Sequence, residues 1–343
     1  MIVLLRNHLA PLAAIAVVLA SMVAVPMSVR GATPAASEPA APPLSSSVAV
    51  ATPEPVVAPP QVTAPLPTPA PTPAPARIAP RPPAPATAPP AQSRRTATTY
   101  RELPLADISP DAAALAQHQL GRMGIAVLAP ERGVIYTHLG NERFHMASIV
   151  KVVIMLATID NAAVAGRELT LDEREWLEPM ITWSDNDSAD VLWWRLGGAK
   201  GITAFLEKNG LTGFEMDADG YWGDSWATPK AVAELLAALV WGDLLPPSGQ
   251  AYARYLLENV TPSQRWGATG APNVSPDDLI GVKDGWYPEE EGWEVNSAGY
   301  LLPRDGGHGY AVAVLSDQQD DFDDAVTTIE AVGSAIRRVL RAR

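Results

Sequence analysis

A proline-rich stretch divides this chain and limits how much of it can fold. Between Ala32 and Ser93 the sequence is mostly Ala, Pro, Thr, Val and Ser, and the whole chain holds 34 prolines. Proline removes a backbone donor and imposes extended geometry, so such a stretch prefers polyproline II and buries too little surface to fold. The sequence therefore predicts a disordered Ala/Pro/Thr-rich linker over residues 32–98 and one globular domain over residues 99–343.

An apolar segment precedes this linker. Arg6 is followed by an apolar run from Leu9 to Met27, which is long for a signal-peptide core and just long enough for a membrane span. No clear cleavage site stands out, so residues 1–31 are either a cleaved signal peptide or an uncleaved membrane anchor. Both export the rest of the chain, to be secreted or held at the cell envelope. The linker could then be a spacer reaching on the order of 190 Å, or a tail with no task.

Charge, cysteine content and missing motifs exclude several functional classes. The formal net charge is −13, whereas a nucleic-acid partner requires a basic face. With no cysteine, disulfides, thiolate metal sites and a cysteine nucleophile are ruled out. H-E-x-x-H and G-x-S-x-G are both absent, which disfavours a zinc enzyme and a Ser-His-Asp hydrolase. We expect no metal and no cofactor, and a monomer.

The globular part reads as helix, two strands, a helical block, three strands and a final helix. The predicted strands lie near residues 125–128, 134–137, 279–286, 293–302 and 308–316. The last helix carries one apolar stripe: Phe322, Val326, Ile329, Val332, Ile336 and Val339. An α+β fold explains this order, with a five-stranded antiparallel sheet, the two terminal helices on one of its faces, and an inserted all-helical subdomain.

A hydroxyl and an amine stand three residues apart at Ser148 and Lys151. In a helix both lie on one face, about 5–6 Å apart at Cβ. Serine is a poor nucleophile unless a base takes its proton, and burial can lower the pKa of a lysine enough to make it that base. Alone the pattern is common, so its weight depends on whether matching motifs occur later in the chain.

A second motif, Ser184-Asp185-Asn186, lies in a loop before a predicted helix. The Ser184 hydroxyl could pass a proton, and the Asn186 amide could hold a substrate amide or Lys151. Ser-Asp-Asn is also ordinary capping and turn chemistry, with Asp187 as an alternative helix N-cap.

A third motif, Lys283-Asp284-Gly285, lies on the first strand after the helical block. Gly285 would let a substrate backbone lie against the strand edge. The backbone N–H groups of Trp286 and Ser148 could form an oxyanion hole. By itself the motif could equally be a strand that ends in a turn.

Together the three motifs resemble S-x-x-K, S-D-N and K-T-G of the serine β-lactamase and penicillin-binding protein superfamily. The layout resembles the class A β-lactamase fold over about residues 105–342. Two further segments agree with that family: residues 197–206 are similar to its G-G-x-x-x-(V/I)-T-x-F-(L) segment, and Thr228-Pro229 matches its T-P-x-x-(M/L)-A.

The resemblance implies a role for each matched residue. Ser148 would be the acylated nucleophile, Lys151 its base and Ser184 the proton-relay hydroxyl. The N–H of Trp286 would take the second oxyanion position. The implied substrate-binding residues are Asn186, Lys283, Asp284 and Gly285. The implied substrate is a small molecule or a peptidoglycan peptide.

One departure from the family is a missing acid. Class A β-lactamases carry E-x-x-L-N, whose glutamate activates the water that clears the acyl-enzyme, and this chain has no such motif. Four acids in the corresponding stretch could substitute or could be solvated loop acids: Glu215, Asp217, Asp219 and Asp224. We therefore expect acylation with slow or absent deacylation, as in a penicillin-binding or D,D-peptidase-like protein with weak β-lactamase activity.

A second departure is Asp284, where the family has Thr or Ser. An ionised Asp would repel a substrate carboxylate by about 1 kcal/mol in water and about 4 kcal/mol at intermediate dielectric. Either the substrate lacks that carboxylate or the Asp284 side chain is turned away.

Aromatic residues crowd the same region, where they could stack on a ligand, narrow the cleft or simply pack: Trp183, Tyr221, Trp222, Trp226, Trp286 and Tyr287. A histidine, His145, precedes Ser148 by three residues and is expected to lie outside the helix. The alternative from another functional class is a non-catalytic scaffold or binding module of the cell envelope.

Overall fold

The computed structural model describes residues 99–118, 121–270, 275 and 278–341. The segments predicted as export signal or anchor, 1–31, and as linker, 32–98, lie outside these residues, so both assignments stay predictions.

Strands and helices alternate in blocks along the described chain. The strands are β1 Arg101–Pro104, β2 Arg122–Ala129, β3 Val134–His138, β4 Phe144–His145, β5 Phe214–Glu215, β6 Trp226–Ala227, β7 Asp278–Glu289, β8 Gly292–Pro303 and β9 Tyr310–Asp317. The helices are α1 Pro110–Gln117, α2 Val150–Val164, α3 Leu171–Thr182, α4 Asn186–Arg195, α5 Gly198–Lys208, α6 Pro229–Val240, α7 Pro247–Glu258, α8 Gly267–Gly270 and α9 Phe322–Arg341.

The main sheet has six strands in the order β1-β3-β2-β9-β8-β7. The five predicted strands are all present and pair antiparallel. The predicted strand count is one short, because β1 adds an edge strand parallel to β3, with Arg101 opposite Val134. A second, small sheet joins three two-residue strands in the order β4-β6-β5. The α+β fold with an all-helical insertion is confirmed.

Two hydrophobic cores lie on the two faces of the main sheet. On one face α1 and α9 cover alternate residues of the central strands, such as Ile125, Val127, Val312 and Val314. On the other face, the helical block packs around α2. It covers the strand residues that alternate with those just named, such as Ala126 and Leu128. The period-2 alternation of a strand explains this division.

Local sequence signals explain where helices begin. Thr170 and Glu173 form a capping box at α3, and the Ser109 side chain caps α1. At α4 the N-cap is Asp185, which accepts from the Ser188 N–H at 2.7 Å, and not Asp187. By length and apolarity Ala147–Val164 could cross a membrane, but 72% of it is buried inside the described part of the protein, where it forms the central helix.

Candidate active site

Ser148 lies in a 3-10 turn, Ala147–Ile149, that connects β4 directly to α2. Ala147 has φ of 47°, a left-handed conformation that is uncommon for a residue with a side chain and often marks a functional position. Ser148 is half-buried. The turn therefore holds this serine in a fixed, strained backbone at the entrance to a buried helix.

Lys151 is in the first turn of α2 and is fully buried. Its Nζ donates to the Ser184 carbonyl oxygen at 2.6 Å and to Asn186 Oδ1 at 2.6 Å. Burial, with the nearby charge of Lys283, lowers the pKa of Lys151 to about 7. A neutral amine that donates two N–H bonds keeps a lone pair free, which is what a general base requires.

Ser184 connects the two lysines of the site. Its Oγ lies 3.2 Å from Lys151 Nζ and accepts from Lys283 Nζ at 2.8 Å. Ser184 also has a positive φ, 60°, in the short turn between α3 and α4. The hydroxyl thus has the geometry to pass a proton between the base and a group that leaves near Lys283.

Lys283 and Gly285 bring the edge strand β7 against the serine turn. Lys283 is 1% exposed and donates also to the Asp284 carbonyl oxygen at 2.8 Å. A Cβ placed on Gly285 would lie 2.6 Å from the Ser148 nitrogen and 3.0 Å from the Ile149 nitrogen. Only glycine permits this approach, because those atoms are backbone and have little freedom to move.

The side chains of Asp284 and Trp286 lie on the opposite face of β7. Asp284 Oδ2 accepts from the Trp266 N–H at 3.3 Å, and the Trp286 ring packs against Trp266 and Phe322. Burial raises the pKa of Asp284 above its usual range. The Asp284 side chain is thus turned to the face of β7 opposite the serine turn, and its charge acts on the adjacent Lys283, whose pKa it raises against the effect of burial. Trp286 can therefore contribute to the site only through its backbone N–H.

A family model described as the beta-lactamase enzyme family matches residues 165–340. That range covers more than half of the chain. The chain belongs to the beta-lactamase enzyme family. Ser148 and Lys151 precede the matched range, so their assignment rests on the motif and on the contacts given above.

Curated beta-lactamases are similar to this family member at low identity. The Beta-lactamase of Rhodobacter capsulatus is 24% identical over 278 residues, covering 70% of this chain and 90% of that protein. Beta-lactamase CARB-3 of Pseudomonas aeruginosa is 28% identical over 163 residues, covering 38% of this chain and 56% of that protein. The chain thus spans little more than half the length of CARB-3.

Solved structures of class A beta-lactamases share the fold. The ancestral (GNCA) class A beta-lactamase superposes with a TM-score of 0.56 at 25% identity, covering 67% of this chain and 99% of that one. A class A beta-lactamase from Bacteroides cellulosilyticus superposes with a TM-score of 0.61 at 18% identity, covering 70% of this chain and 100% of that one. The expected family resemblance is confirmed.

The four loop acids of this beta-lactamase family member either bind groups other than Lys151 or are exposed. Glu215 pairs with Arg143 at 2.6 Å on the surface, and Asp217 accepts from the Tyr221 N–H. Asp219 and Asp224 are exposed. The carboxylates that act on Lys151 through their charge are instead Asp185 and Asp190, both supplied by the start of α4.

Trp222 and Asp190 are the two neighbours of Lys151 whose roles the sequence did not predict. The Trp222 ring centroid lies 4.8 Å from Lys151 Nζ, and its indole nitrogen donates to Asp190 Oδ1 at 2.7 Å. A sequence signal exists for Asp190: it stands four residues after Asn186 on α4, so both share one helix face. Trp222 lies in a loop whose path has no such signal.

His145 lies on β4, outside the helix as expected, and contacts Glu294 and Trp226. Its Nδ1 is 2.9 Å from Glu294 Oε1, and its ring packs against that of Trp226, tilted by 46° with centroids 3.7 Å apart. Burial lowers the pKa of His145, but the hydrogen bond and charge of Glu294 outweigh it, so the pKa is raised overall. The His145 carbonyl oxygen accepts from Asn296 Nδ2 at 3.0 Å. These contacts connect β4, the strand that leads into the Ser148 turn, with strand β8.

Proposed function

We propose that this protein is an exported active-site-serine hydrolase that forms an acyl-enzyme on Ser148 and clears it slowly. The observation that carries the proposal is Lys151, fully buried, hydrogen-bonded by Ser184 and Asn186, with its pKa lowered to about 7. An amine of that pKa is a working base near neutral pH, since a general base is most effective when its pKa is close to the operating pH.

In the proposed acylation, Ser148 Oγ attacks the carbonyl carbon of a β-lactam or a cell-wall peptide amide. Lys151 takes the hydroxyl proton, and the N–H groups of Ser148 and Trp286 stabilise the oxyanion. The C–N bond breaks, and the leaving nitrogen receives its proton through Ser184. The position of Ser184 Oγ between Lys151 and Lys283 supports this relay.

Substrate recognition on this proposal uses the edge of β7. Asn186 and Lys283 supply polar contacts, and Gly285 lets the substrate backbone lie against the strand. The Asp284 side chain, turned to the opposite face, takes no part. Because Asp284 replaces the hydroxyl that the family carries there, we expect a weak contribution from a substrate carboxylate.

The proposal also assigns a role to each segment of the chain. Residues 1–31 direct export or anchor the protein, residues 32–98 act as a spacer, and residues 99–343 form the hydrolase domain. The partner is a small molecule or a peptidoglycan peptide at the cell envelope, and the protein acts as a monomer.

Labelling and mass measurement test this function. The full chain is incubated with a fluorescent penicillin and a chromogenic cephalosporin, and its intact mass is recorded. A stable adduct, lost in Ser148→Ala and kept in the control Ser334→Ala on α9, is the expected result. Rapid turnover would identify an efficient β-lactamase. No adduct and no turnover with β-lactams, esters or D-Ala-D-Ala peptides would favour a non-catalytic envelope scaffold and overturn the proposal.

A further inference from the structure

An aromatic ring covers the base of the site. Trp222 lies in a 3-10 turn, Trp222–Asp224, with its ring centroid 4.8 Å from Lys151 Nζ. Its indole N–H, the only polar group of the side chain, is engaged by Asp190 at 2.7 Å. The surface presented to Lys151 is therefore an aromatic face with no atom able to accept a proton.

Helix α4 positions both the base and its cover. Asn186 Oδ1 binds Lys151 Nζ at 2.6 Å, and Asp190, one turn later on the same face, binds Trp222. The two contacts use side chains of one rigid element, so the ring and the amine keep a fixed relation.

The turn that carries Trp222 is also fastened to the serine segment. The carbonyl oxygen of Ser225 accepts from the Met146 N–H at 2.8 Å, two residues before Ser148. The hydroxyl of Ser225 accepts from the Asp217 N–H at 3.0 Å. These bonds fasten the turn that carries the ring independently of α4.

Hydrolysis of an acyl-enzyme needs a water molecule that can reach both the acyl carbon and a base. Water attacks the ester carbonyl carbon, a base takes one of its protons, the bond from the acyl carbon to Ser148 Oγ breaks, and Ser148 regains a proton. The base must be within hydrogen-bond reach of that water. The Trp222 ring covers Lys151, and Asp190 Oδ1 accepts the indole N–H and so holds the ring there.

We propose that Trp222, held in place by Asp190, is a positioning residue that keeps hydrolytic water from Lys151 and so prolongs the life of the acyl group on Ser148. The inference rests on the proposed acyl-serine function. It predicts that Trp222 slows deacylation of Ser148 and leaves its acylation unchanged.

The test separates formation of the adduct from its loss. The full chain is labelled with a fluorescent penicillin, freed of excess reagent by gel filtration, and followed by intact mass. We expect Trp222→Ala to shorten the adduct lifetime by at least about tenfold, because water then gains access to a base. Tyr221→Ala is the matched control: this neighbouring ring is 69% exposed, and its removal should leave the lifetime unchanged.

Two substitutions at Asp190 distinguish holding the ring from acting as a base. Asp190→Asn keeps an oxygen acceptor for the indole, so the lifetime should stay within about threefold, whereas Asp190→Ala releases Trp222 and should shorten it. If Asp190→Asn instead lengthens the lifetime strongly while acylation is normal, Asp190 is the hydrolytic base and the inference is wrong. This pair also decides the matter if Trp222→Ala fails to fold.

Each failure has its own signature. Equal adduct lifetimes in the wild type, Trp222→Ala and Asp190→Ala, or rapid turnover by the wild type, would overturn this inference while the acyl-serine function stands. Absence of any adduct on the wild type would overturn the proposed function and this inference with it.

Discussion

Ser184 Oγ accepts a hydrogen bond from Lys283 Nζ at 2.8 Å, although the two residues are 99 positions apart in the chain. Ser184 belongs to the helical block and Lys283 to the edge strand β7. The contact therefore joins the two halves of the domain at the point where the proposed chemistry occurs, and each half supplies one part of the proton path.

Removing the strand lysine should affect both rate and pH dependence. In Lys283→Met the donor to Ser184 is lost, and a charge-assisted hydrogen bond contributes about 1.5–3 kcal/mol, so acylation should slow by about 10- to 100-fold. The charge of Lys283 also lowers the pKa of Lys151, so the midpoint of the pH–rate profile should move upward. Stopped-flow acylation with a chromogenic cephalosporin at several pH values measures both. An unchanged midpoint would show that the two lysines do not interact.

The acylation rate should follow the ionisation of Lys151. Its pKa is lowered to about 7, so the base is neutral above that pH and protonated below it. The rate should fall about tenfold for each pH unit below 7 and level off above it. Lys200→Met, which removes an exposed lysine on α5, should give the same profile. A rate that still climbs between pH 8 and 10 would indicate an ordinary lysine.

A methyl group at Gly285 should disable the serine. The Cβ of Gly285→Ala would lie 2.6 Å from the Ser148 nitrogen, so the turn or the strand must shift. We expect a loss of about 1–3 kcal/mol in stability and at least about a 100-fold loss in acylation. Gly223→Ala, where the added Cβ meets nothing within 4 Å, is the control. Chemical denaturation and adduct formation measure the two effects, and normal acylation by Gly285→Ala would contradict the packing.

Asp284 should make the protein less stable as the pH rises. Burial raises its pKa, so the folded state holds a proton that the unfolded state releases above about pH 4. Stability from the neutral form is present below that pH and is lost as the pH rises through the folded pKa. Asp284→Asn should flatten this dependence and raise stability at pH 8 by about 1–3 kcal/mol. Urea unfolding at pH 5, 6.5 and 8 measures it, and a steeper dependence in the variant would refute the assignment.

Much of the fold follows from local signals, and the differences have physical reasons. The apolar α2 and the capping box at Thr170 are strong signals of burial and of a helix start. Strand β1, Arg101–Pro104, is mostly exposed, ends in proline and gains its partner β3 only at the sheet edge, so it lacks the alternation that marks a buried strand. The two-residue strands β4, β5 and β6 are too short to carry any period.

In the candidate site, too, some features follow from the sequence and others do not. Ser148, Lys151 and Ser184 follow from spacing and order along the chain. The cover over Lys151 does not, because the position of Trp222 depends on the path of a loop and on a single hydrogen bond to Asp190. The direction of the Asp284 side chain does not follow from the sequence alone, because two alternatives fit it and the register of β7 decides between them.

The central strands of the sheet have a consequence for how the protein folds. β2 and β9 are neighbours, and the paired residues Arg122 and Asp317 are 195 positions apart. Until synthesis reaches the last strand, nothing joins the β1-β3-β2 part of the sheet to the β8-β7 part, so the apolar helix α2 lacks the continuous sheet that covers it in the folded protein. Long-range pairing of this kind slows folding and leaves apolar surface exposed during it. A nascent chain that ends before Tyr310 would thus depend on a chaperone for its solubility, and it would acquire reactivity at Ser148 only after synthesis is complete.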